Sequence, residues 1–571
     1  MTAPSTRVAA ALLIALLNEG VTDFVLAPGS RSQALALVAA ELESAGRVHL
    51  RVRIDERDAA FLALGLAKES GRPAVVITTS GSAVSNLQPA VLEGRHSGVP
   101  MILLTADRPE ELHGIGTNQT TDHVGLLAGQ VVRTFDIGAA TGDHGEEEAV
   151  GAVAREAVAA AVRGPVHINV AFAEPLSSPW TVPPIETFTV GTGLSDGSID
   201  DGLECESSNG DLLVLRPDRR TVVIAGAGAG ERAEECARQL GAVLFAEVAS
   251  GAHFGPQLVV PYRAVAQDSE FVEGLDRVLV FGHPTLSREV PWLVERAALA
   301  GVDVIVVRTP GAEDYNPGHS VRVFVDSIEV LGATDEVATQ KWADGWVAAS
   351  RAFLARDEDE PMATSPTGEK TLRVPVTRKN LVDAVWHSTQ AADRLVVAAS
   401  RLIRELDAVA PGKRIVVHAN RGLAGLDGTI STAVGVALAH SSGPGGGDAA
   451  TSRAGVTRLL TGDLAFLHDV GGLALGDGEE RPPLLVIVGN DGGGTIFDEL
   501  EVAQSRRPRP APAQNALSRY DRVMLTPQTA SIELLVRAYG WEYRRVESCD
   551  DLDAAISACF GPTVVEVPLA R

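Results

Sequence analysis

Short apolar runs recur along the chain, each closed by glycine, proline or small polar residues. In the first third they fall at 23–27, 48–54, 74–79, 99–105 and 166–172. Between them, at 57–70, 83–94 and 146–162, apolar residues return every three or four positions. The short runs predict strands and the longer periodic stretches predict helices. A further helix is predicted at 6–19. The alternation predicts parallel βαβ units. It resumes with strands at 222–224, 277–281 and 302–307, then at 395–399, 414–418, 456–460, 484–488 and 563–567. An acidic stretch with Pro and Gly at 183–209 and a charged connector at 356–375 separate the blocks. The expected architecture is α/β: three doubly wound parallel-sheet domains spanning 1–185, 210–355 and 376–571.

Composition narrows this little. The 571 residues are 45% hydrophobic and 22% charged, as in a globular protein. Charge narrows it more. Lys+Arg total 49 against 74 Asp+Glu, a net −25, which argues against nucleic-acid binding, because phosphate contacts need clustered positive charge. The apolar run at 8–17 is too short to span a bilayer and lacks a strong basic flank, so no membrane span and no leader are expected. Cys205, Cys236, Cys549 and Cys559 are scattered without a C-x-x-C pair. Neither a zinc site nor a disulfide framework is expected, and a cytoplasmic protein is.

In open α/β sheets ligands bind beyond the carboxyl ends of the strands. The residues following the predicted strands therefore matter most. In the first block they are Pro28-Gly29-Ser30-Arg31, Asp55-Glu56-Arg57, Ser80-Gly81-Ser82 and Ala106-Asp107-Arg108. In the third they are Ser400 with Arg404, Asn420-Arg421-Gly422, Gly462-Asp463-Leu464 and Asn490-Asp491-Gly492-Gly493. Asp463 and Asp491 stand 28 positions apart, the length of one strand–helix–strand crossover, which brings two strand ends side by side. Two carboxylates there, with a free carbonyl in the glycine run, suit Mg²⁺, which takes a few protein oxygens and fills its shell with phosphate and water. The lesser alternative is two capped helices with ordinary aspartates. Glu56, taken alone, is equally a helix N-terminal charge. The run Gly226-Ala227-Gly228-Ala229-Gly230 looks like a dinucleotide loop, but its third Gly comes one residue early, and Glu247 is the nearest acid downstream. Lys341, Trp342 and Trp346 read as helix surface and packing. His123, His418 and His468 are isolated histidines, more often structural than chemical.

Together these residues resemble the thiamine-diphosphate enzymes. Gly462-Asp463 joined to Asn490-Asp491 looks like their metal–diphosphate motif, and Glu56 like their cofactor-activating acid. The segments APGSRS (27–32), IDER (54–57), TSGSAVSNL (79–87), LLTADRPEEL (103–112), SRLIREL (400–406) and NRGLAGLDGTISTA (420–433) resemble one branch. That branch is the 2-succinyl-5-enolpyruvyl-6-hydroxy-3-cyclohexene-1-carboxylate synthase family of menaquinone biosynthesis. The similarity covers the outer blocks and is thin in the middle one, where GHPTLSRE (282–289) is the anchor. It implies pyrimidine-binding, central and diphosphate-binding domains, in that order. It implies Mg²⁺ or Mn²⁺ on Asp463, Asp491 and the Gly493 carbonyl. Many relatives have Asn at the second position, so Asp491 adds charge. Gly462, Leu464 and Ser400 would contact the diphosphate, and Leu426 would lie under the bent cofactor. Glu56 would hydrogen-bond the pyrimidine N1′ from a neighbouring subunit, making a homodimer or homotetramer. Burial would raise its pKa, with Phe61 and Leu62 as candidates for the apolar shell.

The implied substrates, 2-oxoglutarate and isochorismate, are both dicarboxylates. Arg31, Arg108, Arg288, Arg404 and Arg421 hold the matching positions, and guanidinium groups clamp carboxylates bidentately. Ser30, Ser400, Asn118 and Gln119 would add neutral hydrogen bonds. Ile496, Phe497 and Leu500 would wall out water. Some relatives carry Lys where this chain has Ser287. Two other readings remain open at this point. One is a thiamine-diphosphate enzyme acting on small monoacids, such as an acetolactate synthase or a decarboxylase. The other is a non-catalytic metal–nucleotide module, with a purely structural protein behind it.

Overall fold

The computed structural model describes residues 2–183, 211–332, 337–358, 374–442, 455–505, 518–557 and 561–570. The 183–209 stretch lies almost wholly outside them, as does most of the 356–375 connector. The first sheet is built from β1 (Asp23–Leu26), β2 (His49–Val52), β3 (Ala74–Thr78), β4 (Met101–Asp107), β5 (Arg133–Ile137) and β6 (Val166–Ala171). Its order is β2-β1-β3-β4-β6-β5, with every pair parallel. The middle region pairs β7 (Leu212–Leu215) with a later strand. Its main sheet holds β8 (Thr221–Ala225), β9 (Val243–Ala246), β10 (Arg277–Phe281), β11 (Asp303–Val307) and β12 (Val323–Val325), in the order β12-β11-β10-β8-β9. The partner of β7 is β13 (Ser327–Val330).

The third sheet comprises β14 (Arg394–Val397), β15 (Val416–His418), β16 (Thr457–Gly462), β17 (Leu484–Asn490), β18 (Glu542–Arg545) and β19 (Thr563–Pro568). Its order, β15-β14-β16-β17-β19-β18, repeats that of the first sheet strand for strand. The outer units are thus one topology used twice. In each, the chain reverses its direction of travel across the sheet between the first and third strands, where open α/β sheets bind ligands.

The two outer units share one core. Helix Glu56–Ser70 starts at Asp55, whose carboxylate accepts the Arg57 N–H at 2.8 Å, and stops at Gly71 with φ 67°. It crosses helix Thr429–Ser442 of the third unit with backbones almost touching. A Cβ on Gly65 would lie 2.1 Å from the Thr432 carbonyl, and one on Gly435 2.3 Å from that of Leu62. Phe61, Leu62, Ile430 and Val434 fill the seam. Among the described residues no helix is long and apolar enough to cross a membrane.

Candidate active site

The third sheet assembles its strand-end residues tightly. Ser400 follows β14 and caps helix Arg401–Val409, its hydroxyl accepting the Leu402 N–H at 3.2 Å. Gly462 ends β16, and a Cβ built on it would stand 3.7 Å from the Ser400 Cβ. Asp463 opens the next helix, is buried, and accepts the Leu464 N–H at 2.8 Å. Asp491 follows β17, the strand beside β16. Burial first, then the Asp491 charge, push the Asp463 carboxyl up to about 6, while N–H groups of Leu464 and Gly493 pull it back. A buried carboxylate whose ionisation a second acid opposes fits a divalent cation, which relieves the repulsion. Among the described residues no cluster of three or more His, Cys, Asp or Glu could hold a metal. A cation here therefore draws further oxygens from carbonyls, phosphate or water. The Gly493 carbonyl accepts the Thr495 N–H at 2.8 Å and keeps its second lone pair.

Leu426 precedes a turn held from two sides. Asp469, fully buried, accepts the N–H groups of Gly428, Ile430 and Ser431 at 3.1, 2.7 and 3.0 Å. Gly428 has φ 62°, and a Cβ there would fall 1.8 Å from the Phe61 ring. Phe61 is therefore packing for the turn beside Leu426. Ile496, Phe497 and Leu500 are half-buried around the 3₁₀ turn Thr495–Glu499.

The edge of the first sheet is looser. Glu56 is half-buried and accepts the Asn86 side-chain N–H at 3.1 Å. This differs from the apolar enclosure expected from the sequence. Phe61 and Leu62 face the inter-unit seam because they lie further along the helix. Ile54, two residues before Glu56, is 86% exposed, and Ile115 beyond β4 is 69% exposed. The next residue, Arg57, donates to the His468 carbonyl at 3.4 Å, at the opposite end of the short helix from Asp463. Arg108 is buried and donates to the Ser80 hydroxyl and the Gln119 carbonyl. Gln119 itself sits at φ 58°, left-handed for a non-glycine residue, and donates to the Ser80 carbonyl at 2.9 Å. Arg31 donates to the Phe172 carbonyl at 2.8 Å, and burial and the Arg108 charge both disfavour its cationic form. Ser30 and Asn118 are exposed nearby in sequence, on the same strand-end loops.

Arg404 and Arg421 meet on the middle unit. Arg404 donates to the Leu286 carbonyl at 3.3 Å, and Arg421 to the Thr285 hydroxyl at 2.8 Å and carbonyl at 3.0 Å. Arg288 stands apart from them. Its side chain is 72% exposed and lies 3.5 Å from Glu501. Ser287 accepts the Val290 N–H at 3.3 Å at the start of helix Glu289–Leu299. Trp342 and Trp346 pack on Phe271, as packing residues should.

Several contributors were not legible in sequence. Arg378 donates from Nε and Nη2 to Asp491 Oδ2 at 3.0 and 2.9 Å, and Thr495 donates its hydroxyl to the same oxygen. That guanidinium answers the extra charge of Asp491, yet it lies 113 positions upstream. His123 is buried. Its Nε2 accepts the Gly81 N–H at 3.1 Å while Nδ1 faces Asn169 and Asp107 at 3.0 and 3.2 Å. It thereby holds the turn after β3. The only sequence signal for it was an isolated histidine.

A family model described as thiamine pyrophosphate enzyme, N-terminal TPP binding domain, matches residues 6–126. The 2-succinyl-5-enolpyruvyl-6-hydroxy-3-cyclohexene-1-carboxylate synthase of Clavibacter michiganensis subsp. michiganensis is 49% identical over 100% of this chain and 97% of its own. That of Leifsonia xyli subsp. xyli is 46% identical with the same coverage, and that of an Arthrobacter species 38% identical over 97% of this chain and 88% of its own. Identity sustained from end to end, in a chain whose outer sheets repeat one strand order, places this chain in the 2-succinyl-5-enolpyruvyl-6-hydroxy-3-cyclohexene-1-carboxylate synthase family.

Proposed function

We propose that the chain, acting in the cytoplasm, decarboxylates 2-oxoglutarate and adds the resulting succinyl unit in 1,4 fashion to isochorismate. The products are 2-succinyl-5-enolpyruvyl-6-hydroxy-3-cyclohexene-1-carboxylate and CO2, in menaquinone biosynthesis. The observation that carries the reading is the full-length identity with synthases of that name. The cofactors are thiamine diphosphate and Mg²⁺ or Mn²⁺. Bound thiamine diphosphate supplies the electron sink for the loss of CO2.

The chain's own residues do the rest. Asp463, Asp491 and the Gly493 carbonyl hold the cation. Ser400 and the backbone at Gly462 and Leu464 orient the diphosphate through hydroxyl and N–H groups. Leu426 supports the cofactor from below. Glu56 holds a proton at the pyrimidine N1′, which sets the charge distribution of the ring. Arg31, Arg108, Arg288, Arg404 and Arg421, with Ser30, Asn118 and Gln119, grip and orient the substrate carboxylates. Ile496, Phe497 and Leu500 exclude water. Glu56, half-exposed beside Ile54, is covered by a second subunit, so the working unit is a homodimer or homotetramer.

The test is turnover by purified protein with thiamine diphosphate, Mg²⁺, 2-oxoglutarate and isochorismate. Loss of the diene absorbance with matching CO2 release is expected. Preference for pyruvate over 2-oxoglutarate would contradict the substrate assignment.

A further inference from the structure

The middle unit has a glycine-rich loop after β8 and an acid, Glu247, after β9. That acid does not face a nucleotide. Glu247 is 2% exposed, and its Oε1 accepts the N–H groups of Thr285 and Leu286, each at 2.6 Å. The same two residues receive Arg421 and Arg404. Arg421 donates from Nε to the Thr285 hydroxyl and from Nη2 to its carbonyl, and Arg404 donates to the Leu286 carbonyl. A two-residue segment is therefore gripped through its N–H groups by the middle unit and through its oxygens by two cations of the third.

A second latch lies behind it. Asp407, on the same helix as Arg404, is fully buried. It accepts the Val248 N–H at 2.8 Å, the Tyr262 hydroxyl at 2.5 Å and Arg263 at 2.7 Å. Val248 is the residue after Glu247. Helix Arg401–Val409 is thus tied to the middle unit at both Asp407 and Arg404.

We infer that Glu247, Thr285 and Leu286 form a template that fixes the spacing and orientation of Arg404 and Arg421 toward a dicarboxylate substrate. This rests on the proposed role of those two arginines. Glu247 and Thr285 are positioning residues. A guanidinium that spends two N–H groups on a fixed peptide is held in its plane, so the rest of its donor fork is aimed before substrate arrives. The template also holds together two like charges that repel: Arg404 disfavours the charged form of Arg421, with burial the larger cause. Burial, then Asp407, push the Glu247 acid up to about 8, so it braces the segment without adding a full buried charge at neutral pH.

The test is steady-state kinetics on the holoenzyme. Thr285→Val keeps the shape and removes one acceptor from Arg421. It should raise KM roughly five- to tenfold for the dicarboxylate that meets the pair, the loss of one charge-assisted hydrogen bond. kcat and thiamine diphosphate affinity should stay within about twofold. Glu247→Ala should show the same split, larger, and Glu247→Gln, which keeps an oxygen for the two N–H groups, should restore KM. Unchanged KM for both dicarboxylates in Thr285→Val and Glu247→Ala overturns the template, as does a loss confined to kcat and cofactor affinity. A parent protein that turns over neither dicarboxylate overturns the proposed function and the template together. A parent that turns over both, with variants of unchanged KM, overturns the template alone.

Discussion

The first and third sheets have the same strand order, yet their carboxyl edges are finished differently. At the third, Asp463 is buried, the Asp491 side chain is 9% exposed, and an oxygen of each is already engaged. Asp463 takes its own helix's N–H, and Asp491 takes Arg378 and Thr495. At the first, Glu56 is half-exposed on one amide, with Ile54 bare beside it. One edge completes itself within the chain. The other stays open, with Ile54 86% exposed. A duplicated fold has thus been finished in two ways, and the proposed function reads one half as gripping and the other as lent to a second subunit.

The comparison breaks most sharply at its two acids. Glu56→Gln should cut turnover by about a hundredfold or more while thiamine diphosphate still binds, because shape persists and proton placement fails. Parental turnover in that variant would remove Glu56 from the mechanism. Asp463→Asn should weaken Mg²⁺-dependent cofactor binding by at least roughly tenfold, read by titration of the metal-free protein. An unchanged titration would place the cation elsewhere. A smaller effect tests the seam joining the halves. Gly428→Ala forces a methyl into the Phe61 ring at positive φ, and should lower stability by about 1–3 kcal/mol in denaturant melts.

A further effect is a pH dependence. Glu247 has a folded-state pKa of about 8, raised from 4.5 by burial and by Asp407 and opposed by Arg421. The folded state therefore keeps a proton that the unfolded state has released. This group lowers stability progressively as pH rises from 4.5 to about 8, and Glu247→Gln should flatten that part of a melting-temperature profile. Parallel profiles for parent and variant would deny the shift.

Most strands with both faces buried were plain in the sequence, although β9, buried throughout, was missed. β3, β4 and β17 are continuous apolar runs because helices cover them on both sides. The strands missed include edges: β5 and β18, whose Arg133–Ile137 and Glu542–Arg545 are mostly polar and half-wet. The helix expected at 83–94 divides at Leu87, because Pro89 starts a new helix and cannot continue the old one. The helix after β16 is short and ends at His468, where Asp469 turns away to hold the N–H groups near Gly428. The site follows the same rule. Residues directly after a strand were legible, since topology alone brings them together. Arg378 was not, and for Glu247 and His123, both visible in the sequence, the partners were not, since each meets its partner across a distance that only packing closes.

Complementation tests the division most directly. Glu56→Gln and Asp463→Asn chains, each inactive alone, are unfolded or dissociated together and allowed to reassort. If the lent edge of one chain completes the gripping edge of another, half the dimers are mixed, and each mixed dimer holds one site with both acids intact. The account predicts recovery of about a quarter of parental activity. A mixture that reassorts and stays inactive would contradict it, because each site would then draw its two acids from a single chain.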